Sequence, residues 1–553
     1  MREKRERGLA RVELEMDIED LSLSLGGSAG DDVSRPQHKK SVIFPCSTRR
    51  QQHTEGVDEC NPTIPGTQKI YLKTYGCSHN VSDSEYMEGM LSSFGYRMES
   101  NPDKADLWLL NSCTVKDPSQ AAFMHMVSKA KSEGKKVIVA GCVPQADQKI
   151  PGLDGVSIVG VHSIDRVVEA VEQTLQGSTV QMLTKKSLPR LDLPKVRKNK
   201  LVEIIPLSTG CLGSCTYCKT RHARGKLGSY SPEAIIGRAE VAISEGVCEI
   251  WLSSEDTGAY GLDIGTNIAE LLRSLVAVLP ESGVMLRVGM TNPPYMLEHL
   301  EAVAQVLSSP KVFSFLHVPV QAGSNKVLDA MRREYTVEEF RRVCDYLTEH
   351  VPGITIATDI IAGFPNESEA DFELTMQLVE HYKFAVLNIS QFYPRPGTPA
   401  AKMKRIDTQV VKNRTRRLTK LFEEFRPYQD LPGQTVCVYF NTEVSDDGRH
   451  SVGHTKSYIK VLVPLDASLP GMAKMVQIES CQRFHVEGVV VGTPQTLLPF
   501  TENVKQDQKS APTSLELPSD SFAETLPTHV VVAAAIAGAA ILLTLLIAGR
   551  RRK

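Results

Sequence analysis

The chain has 553 residues with 41% hydrophobic content, room for several packed domains. A formal net charge of −2 excludes a global field for nucleic acid, so any such surface must be a local patch. Twelve cysteines over this length argue for ligands or core residues in a reducing compartment and against a disulfide framework; the start, Met1-Arg2-Glu3-Lys4-Arg5-Glu6-Arg7, lacks the apolar core of a signal peptide.

Residues 1–67 are rich in Gly, Ser, Pro, Gln and charge, have no periodicity, and read as a disordered arm. Cys46 and Cys60 within it read as surface thiols. A first domain, 68–176, follows. Apolar runs at 70–75, 106–111, 136–140 and 157–160 predict strands. Ser82-Asp83-Ser84-Glu85 predicts a capping box that opens a helix through residue 91, and further helices are expected at 119–131 and 164–175. Alternating strand and helix implies a parallel sheet. Cys77, Cys113 and Cys142 each stand just past the C-terminal end of a strand, where ligands bind in open α/β sheets. The three can therefore converge, although each alone would pass for a buried small hydrophobe.

The stretch 177–200 carries Lys185, Lys186, Arg190, Lys195, Arg197, Lys198 and Lys200. It reads as a solvated linker, with a phosphate-facing strip as the alternative. A short buried strand at 202–207 then leads into Gly210-Cys211-Leu212-Gly213-Ser214-Cys215-Thr216-Tyr217-Cys218. Three cysteines at CxxxCxxC spacing on a glycine-containing loop can turn three thiolates toward one point. Iron–sulfur clusters are usually held by four thiolates, so three leave one iron open. Zinc is the alternative, but no second cysteine pair follows at zinc-ribbon distance and His222 is poorly spaced as a fourth ligand.

The region 201–430 continues with strands expected at 249–253, 284–288, 312–318, 354–360 and 384–389. Helices are expected at 231–244, 268–279, 295–307, 337–350 and 369–381. Six strands fit an open, partial (β/α) barrel, with chemistry at the C-terminal strand ends. The residues there are small or polar: 253–258, 290–292, 319–323, 362–365 and 391–397. Lys219 and Arg224 follow the cysteines closely and could steady a carboxylate or a developing charge; a plain surface role is the alternative for Lys219. Cys248 and Cys344 fall on apolar faces and read as core. A helix at 402–428 carries Lys402, Lys404, Arg405, Lys412, Arg414, Arg416, Arg417 and Lys420, either a phosphate contact or a solvated face.

Four short strands, at 435–440, 458–463, 475–480 and 484–491, predict a small β-barrel over 431–495 of the kind that binds single-stranded or loop RNA. Cys437 and Cys481 read as strand-interior residues. Residues 496–529, rich in Ser, Pro, Thr and Glu, read as a flexible tether. Within the stretch 530–549 the run 530–548 is almost wholly apolar and would reach roughly 28 Å as a helix, enough for a thin bilayer. It predicts a tail anchor with the catalytic bulk in the cytosol. The basic end Arg550-Arg551-Arg552-Lys553 runs against the positive-inside rule but is short enough to be carried across.

The CxxxCxxC loop, with an aromatic before its last cysteine, resembles the radical S-adenosylmethionine enzymes. The string from Cys215 to Tyr230 resembles the methylthiotransferases among them. Thr74-Tyr75-Gly76-Cys77-Ser78-His79-Asn80, Asn111-Ser112-Cys113-Thr114 and Ala140-Gly141-Cys142-Val143-Pro144 resemble the N-terminal domain of that family. Gly453-His454-Thr455-Lys456-Ser457-Tyr458 resembles its terminal RNA-binding module, usually called TRAM. Residues 73–80, the segment 256–261 and the anchor resemble most the eukaryotic, tail-anchored branch acting on threonylcarbamoyladenosine in tRNA.

The resemblance covers about 69–495, plus the anchor. It implies an α/β architecture: an N-terminal parallel-sheet domain, a partial (β/α)6 radical barrel, a small TRAM-like β-barrel and a C-terminal transmembrane helix. It implies two 4Fe–4S clusters, one on Cys211, Cys215 and Cys218, the other on Cys77, Cys113 and Cys142, with His79 and Asn80 beside the second. It implies S-adenosylmethionine with its amino group near Ser253, Ser254 and Glu255, its ribose and adenine near Gln321, Asp359 and Gly363, and Arg224 close by. Ser254-Glu255 stands where the family usually has Gly-Glu. The implied reaction takes hydrogen from C2 of the adenine at position 37, next to the anticodon, through a deoxyadenosyl radical, and places a methylthio group there. The implied partners are tRNA, the endoplasmic reticulum membrane, an electron donor and a sulfur donor. Rival expectations are an isopentenyl-adenosine substrate, an aspartate of a ribosomal protein, a mitochondrial outer-membrane address, and a non-catalytic iron–sulfur sensor or RNA scaffold.

Overall fold

The computed structural model describes residues 66–114, 117–147, 150–183 and 188–494. The arm up to residue 65, Lys185, Lys186, the expected tether and the expected anchor lie outside the described residues. Among those described, no helix is long and apolar enough to cross a membrane.

The first domain runs β1 (Lys69–Thr74), α1 (Ser78–Phe94), β2 (Arg97–Met98), β3 (Leu107–Ser112), α2 (Asp117–Ser132), β4 (Lys136–Gly141), α3 (Cys142–Ala146), β5 (Ser157–Val159), α4 (Val167–Leu175) and β6 (Gln181–Met182). All six strands are parallel, in the order β2-β1-β3-β4-β5-β6. Central β3 is buried along its whole length, as a strand with helices on both faces must be. The two edge strands were not expected, and β6 falls inside the stretch read as a linker.

The capping box expected at 82–85 is absent. Helix α1 starts four residues earlier, with Cys77 as its N-cap, and Ser78 through Glu85 are all buried. The reason is tertiary. Ser78 Oγ is 2.9 Å from Ser253 Oγ, and Ser82 Oγ donates to the Ile204 carbonyl at 3.1 Å, so these polar turns face the central domain. The basic linker is misread for the same reason. Lys195, its side chain 1% exposed, lies 3.3 Å from Glu85 and 2.9 Å from Glu203, and Arg197 is 2.5 Å from Glu203. Burial pushes the Glu203 carboxyl up, but Lys195 and Arg238 outweigh it and hold it at about 2. Lys195 and Arg197 are therefore neither solvated nor turned to phosphates; Lys195 bonds the two domains, and Arg197 ties the linker to Glu203 and Glu245 of the central one.

The central domain runs β7 (Val202–Pro206), β8 (Ser208–Thr209), α5 (Thr220–Arg224), β9 (Gly228–Ser229), α6 (Pro232–Ser244), β10 (Glu249–Ser253), α7 (Ile268–Val278), β11 (Met285–Arg287), α8 (Pro293–Leu297), α9 (Leu300–Ser308), β12 (Phe315–His317), α10 (Asn325–Ala330), α11 (Val337–His350), β13 (Thr355–Ala362), α12 (Glu369–Tyr382), β14 (Val386–Gln391) and α13 (Thr408–Glu424). Strands β7-β10-β11 and β12-β13-β14 pair in parallel, and a parallel bridge between Leu286 and Val312 joins the two groups. This is the expected open six-stranded barrel. Its core packs the apolar faces of α6, α7, α9, α11 and α12 onto the strands. The helix expected at 295–307 is two helices, and α10 was not expected. Helix α13 is shorter than the expected 402–428, because Asp407 caps it by accepting from Gln409 N at 2.8 Å.

The last domain is a closed barrel in the order β15-β16-β17-β19-β18. Its strands are β15 (Thr435–Val444), β16 (His450–Thr455), β17 (Lys460–Pro464), β18 (Ala473–Cys481) and β19 (Val486–Gly492), five where four were expected. The segment Gly453–Tyr458 turns inward, not to solvent. Lys456 Nζ donates to the carbonyls of Leu307 (2.9 Å) and Val312 and to Ser314 Oγ (3.0 Å). Tyr458 packs on Phe313 and Phe315, with the Arg287 guanidinium 4.7 Å from its ring. This motif docks the barrel on the central domain. Replacing Lys456 with Met would remove the donor to the buried Val312 carbonyl and one of the two donors to that of Leu307, so urea unfolding should show a loss of about 1–3 kcal/mol; unchanged stability would contradict the docking role.

Candidate active site

The first cysteine set is built by adjacent strands. Cys77 follows β1, Cys113 follows β3 and Cys142 follows β4, and these strands are neighbours in the sheet. Gly76, at φ +96°, allows the approach: a Cβ there would lie 2.1 Å from Cys113 Cβ and 2.5 Å from its Sγ. Asn80 and Asn111 hold the loops together. Asn80 Nδ2 donates to the carbonyls of Tyr75 (3.0 Å) and Ser112 (2.8 Å), and Asn111 Nδ2 donates to the Asn80 carbonyl (2.9 Å). The Cys142 thiol donates to Asn80 Oδ1 at 3.6 Å.

The second set lies on the loop after β8. Thr216 at its centre is pinned: its N–H donates to the Met331 carbonyl (2.9 Å) and its hydroxyl to that of Ala330 (3.0 Å). A Cβ on Gly213 would sit 3.7 Å from Cys211 Sγ and 3.8 Å from Cys215 Sγ, so both sulfurs border one point. Arg333 Nη1 donates to Cys215 Sγ at 3.1 Å, and Thr220 N donates to Cys218 Sγ at 3.3 Å. None of the ten described cysteines is in a disulfide.

These residues fit iron–sulfur clusters. Burial pushes the thiols of Cys142 and Cys211 up to about 12, and raises that of Cys215 against the pull of Arg333. A coordinating thiol is deprotonated by the metal that binds it, so the burial of these sulfurs does not bar them as ligands. Among the described residues no three His, Cys, Asp or Glu side chains close round a point as ligands of one ion. Ligands of a 4Fe–4S cluster each take a different iron and stand further apart.

Both sets line one cavity of about 320 Å3, as do His79, Arg224, Ser253, Ser254, Glu255, Gln321 and Asp359. Arg224 is 2% exposed and ties the domains: its guanidinium donates to Asp83 Oδ2 (2.7 Å) and Asn80 Oδ1 (2.8 Å) and pairs with Glu255 at 3.0 Å. Glu255 is also 3.2 Å from His79 Nδ1. Ser254 Oγ accepts from Asp256 N at 3.0 Å. Gln321 adopts φ +70° and donates its N–H to the Asp359 carbonyl at 2.8 Å, while Asp359 Oδ1 accepts from Asn388 at 3.0 Å and lies 2.9 Å from His317 Nε2.

Gly363 is not among the lining residues. It donates to Glu367 at 2.9 Å, and a Cβ there would strike Val411 at 2.5 Å, so its glycine serves packing against α13. Lys219, also outside the lining, is 3.8 Å from Asp147. The sequence did not single out Arg332, Arg333, His317 or Asn388, and Arg395 stood only within the polar rim 391–397; all five line the cavity as well. Asp256 and Asn292 stood only within polar rims; Asn292 Nδ2 donates to Asp256 at 2.6 Å, and burial raises that carboxyl to about 6 against this bond.

Residues 205–379 match the family model of the radical SAM superfamily, and residues 69–154 match an uncharacterized family, UPF0004. The fold and the CxxxCxxC site thus define a radical S-adenosylmethionine protein. A threonylcarbamoyladenosine tRNA methylthiotransferase of Drosophila pseudoobscura pseudoobscura is 50% identical over 96% of this chain and 98% of its own. The Homo sapiens protein of that name is 52% identical over 84% of this chain and 81% of its own. A probable one from Pyrococcus abyssi is 38% identical over 76% of this chain and 99% of its own. The chain belongs to the threonylcarbamoyladenosine tRNA methylthiotransferase family.

Gly76→Ala should break the first site alone, because its methyl would occupy the place of the Cys113 side chain. Iron per purified, reconstituted protein should fall by about half, from two four-iron clusters to one. Full iron content would show that the glycine is not needed to close the site.

Proposed function

We infer that this chain transfers a methylthio group to C2 of threonylcarbamoyladenosine in tRNA by radical chemistry. The observation that carries the reading is the single cavity bordered by both cysteine sets. A sulfur source at one set and S-adenosylmethionine at the other would reach the same nucleoside without leaving it. When bound, the clusters and S-adenosylmethionine supply radical generation and sulfur. The protein's share is placement. Cys211, Cys215 and Cys218 would hold one cluster; Cys77, Cys113 and Cys142 the other. Arg333 keeps a fixed positive charge at Cys215, and Asn80 keeps a fixed amide at Cys142. Arg224, Glu255 and His79 fix the wall between the two sets.

Ser253, Ser254, Glu255, Gln321 and Asp359 border the space that S-adenosylmethionine would fill, and we assign them to it. The run 530–549 would anchor the enzyme in the endoplasmic reticulum membrane with its active site in the cytosol. An electron donor and a sulfur donor complete the system.

Nucleoside mass spectrometry of tRNA from cells lacking the protein should show loss of methylthio-threonylcarbamoyladenosine. Wild-type protein should restore it, Cys215→Ala should not, and a chain without 530–549 should leave the membrane fraction. Normal levels of that nucleoside in the null cells would overturn the substrate, and a membrane-bound truncated chain would overturn the anchor.

A further inference from the structure

We propose that Arg332 recognises the carboxylate of the substrate's threonylcarbamoyl group and thereby selects this nucleoside over neutral N6-substituted adenosines. The proposal rests on the functional reading above. A threonine joined through its amine to a carbamoyl group keeps its carboxylate free, so the substituent carries an anion into the site.

Four arginines line the cavity. Arg224 is committed to Asp83, Asn80 and Glu255. Arg333 is committed to Cys215, Tyr335 and Asn292, and Arg395 has a partner of its own. Arg332 alone of the four has a guanidinium with no hydrogen-bond or ion-pair partner among the described residues. The acids of the lining are engaged: Glu255 with Arg224 and His79, Asp256 with Asn292, Asp359 with His317, and Glu334 with the Tyr295 hydroxyl. An anion entering this cavity meets one uncommitted cation.

The backbone places that cation deliberately. Arg332 has φ +54°, a left-handed conformation that a non-glycine residue adopts only when its surroundings impose it. The restraints are on both sides. The carbonyl of Met331 accepts from Thr216 N in the cysteine loop, and Arg333 donates to Cys215. Arg332 N donates to the Asp329 carbonyl at 2.8 Å. The residue lines the cavity yet is exposed, so it stands where the cavity meets solvent. A planar guanidinium there suits bidentate pairing with a carboxylate.

The test uses the full chain, reconstituted without oxygen, and three probes: an anticodon stem-loop bearing threonylcarbamoyladenosine, the same loop with that carboxylate converted to its amide, and S-adenosylmethionine. Wild type should bind the carboxylate loop more tightly than the amide loop. Arg332→Gln should weaken the carboxylate loop tenfold or more, leave the amide loop and S-adenosylmethionine unchanged, and regain part of the loss as Arg332→Lys. Unchanged amide-loop affinity and iron content also show that the variant is folded. Equal weakening of both loops would mean an RNA phosphate contact, and weaker S-adenosylmethionine would mean the cofactor's carboxylate; either overturns the proposal, as does no effect. Failure of the wild type, supplied with sulfide, S-adenosylmethionine and a one-electron reductant, to methylthiolate the carboxylate loop would overturn the functional reading, whereas the binding outcomes above overturn the proposal alone.

Discussion

One buried cation, Arg224, decides the geometry of the molecule. Its guanidinium has left water, which is costly unless every donor finds an acceptor. The acceptors come from both sides: Asp83 and Asn80 from helix α1, Glu255 from the end of β10. Arg224 itself closes the short helix that follows Cys218. The helix after one cysteine set is thereby bonded to the helix that begins at Cys77 of the other. Separating the domains would strip Arg224 of Asp83 and Asn80 and leave it only Glu255, so these bonds favour the arrangement in which the two sets face one cavity.

The same logic repeats at the other seams. Glu203 on β7 gathers Lys195, Arg197 and Arg238. Lys456 reaches from the terminal barrel into the carbonyls of the central domain. Each seam joins directed polar bonds to apolar contacts such as Tyr458 on Phe313, and the polar bonds fix position in a way that apolar contact alone would not. A cavity that has to present two metal sites to one nucleoside needs that fixity more than it needs extra stability.

The sequence made the sites legible and the seams illegible. CxxxCxxC spacing and cysteines at strand ends depend on local geometry, so both sets are visible in the order of residues along the chain. The six-stranded half-barrel follows from periodicity. Lys195, Arg197 and Ser78 through Glu85 are polar, and polarity in one chain segment reads as solvent or as a cap. Only the partner surface, more than a hundred residues away for Ser82 and Ile204, shows that they are buried. By resemblance the Gly453–Tyr458 motif belongs to an RNA-binding surface, yet here its lysine and tyrosine point into the protein. Of the basic residues on α13, Arg414 is buried against Glu367 and Arg417 pairs with Glu369 and Glu373, whereas Lys412, Arg416 and Lys420 remain exposed. Arg332 and Arg333 follow an unexpected helix, and no periodic signal marks a residue whose role comes from a left-handed turn.

Both cysteine sets open on one cavity, and everything said of function depends on that. The most direct test is electron paramagnetic resonance on the doubly reduced protein, beside variants with Cys77, Cys113 and Cys142 or Cys211, Cys215 and Cys218 changed to Ala. Clusters facing across one cavity of this size should couple, so the wild-type spectrum should show broadening and faster relaxation that the sum of the two variants does not reproduce. A wild-type spectrum equal to that sum would place the clusters too far apart to share a substrate and would contradict a common cavity.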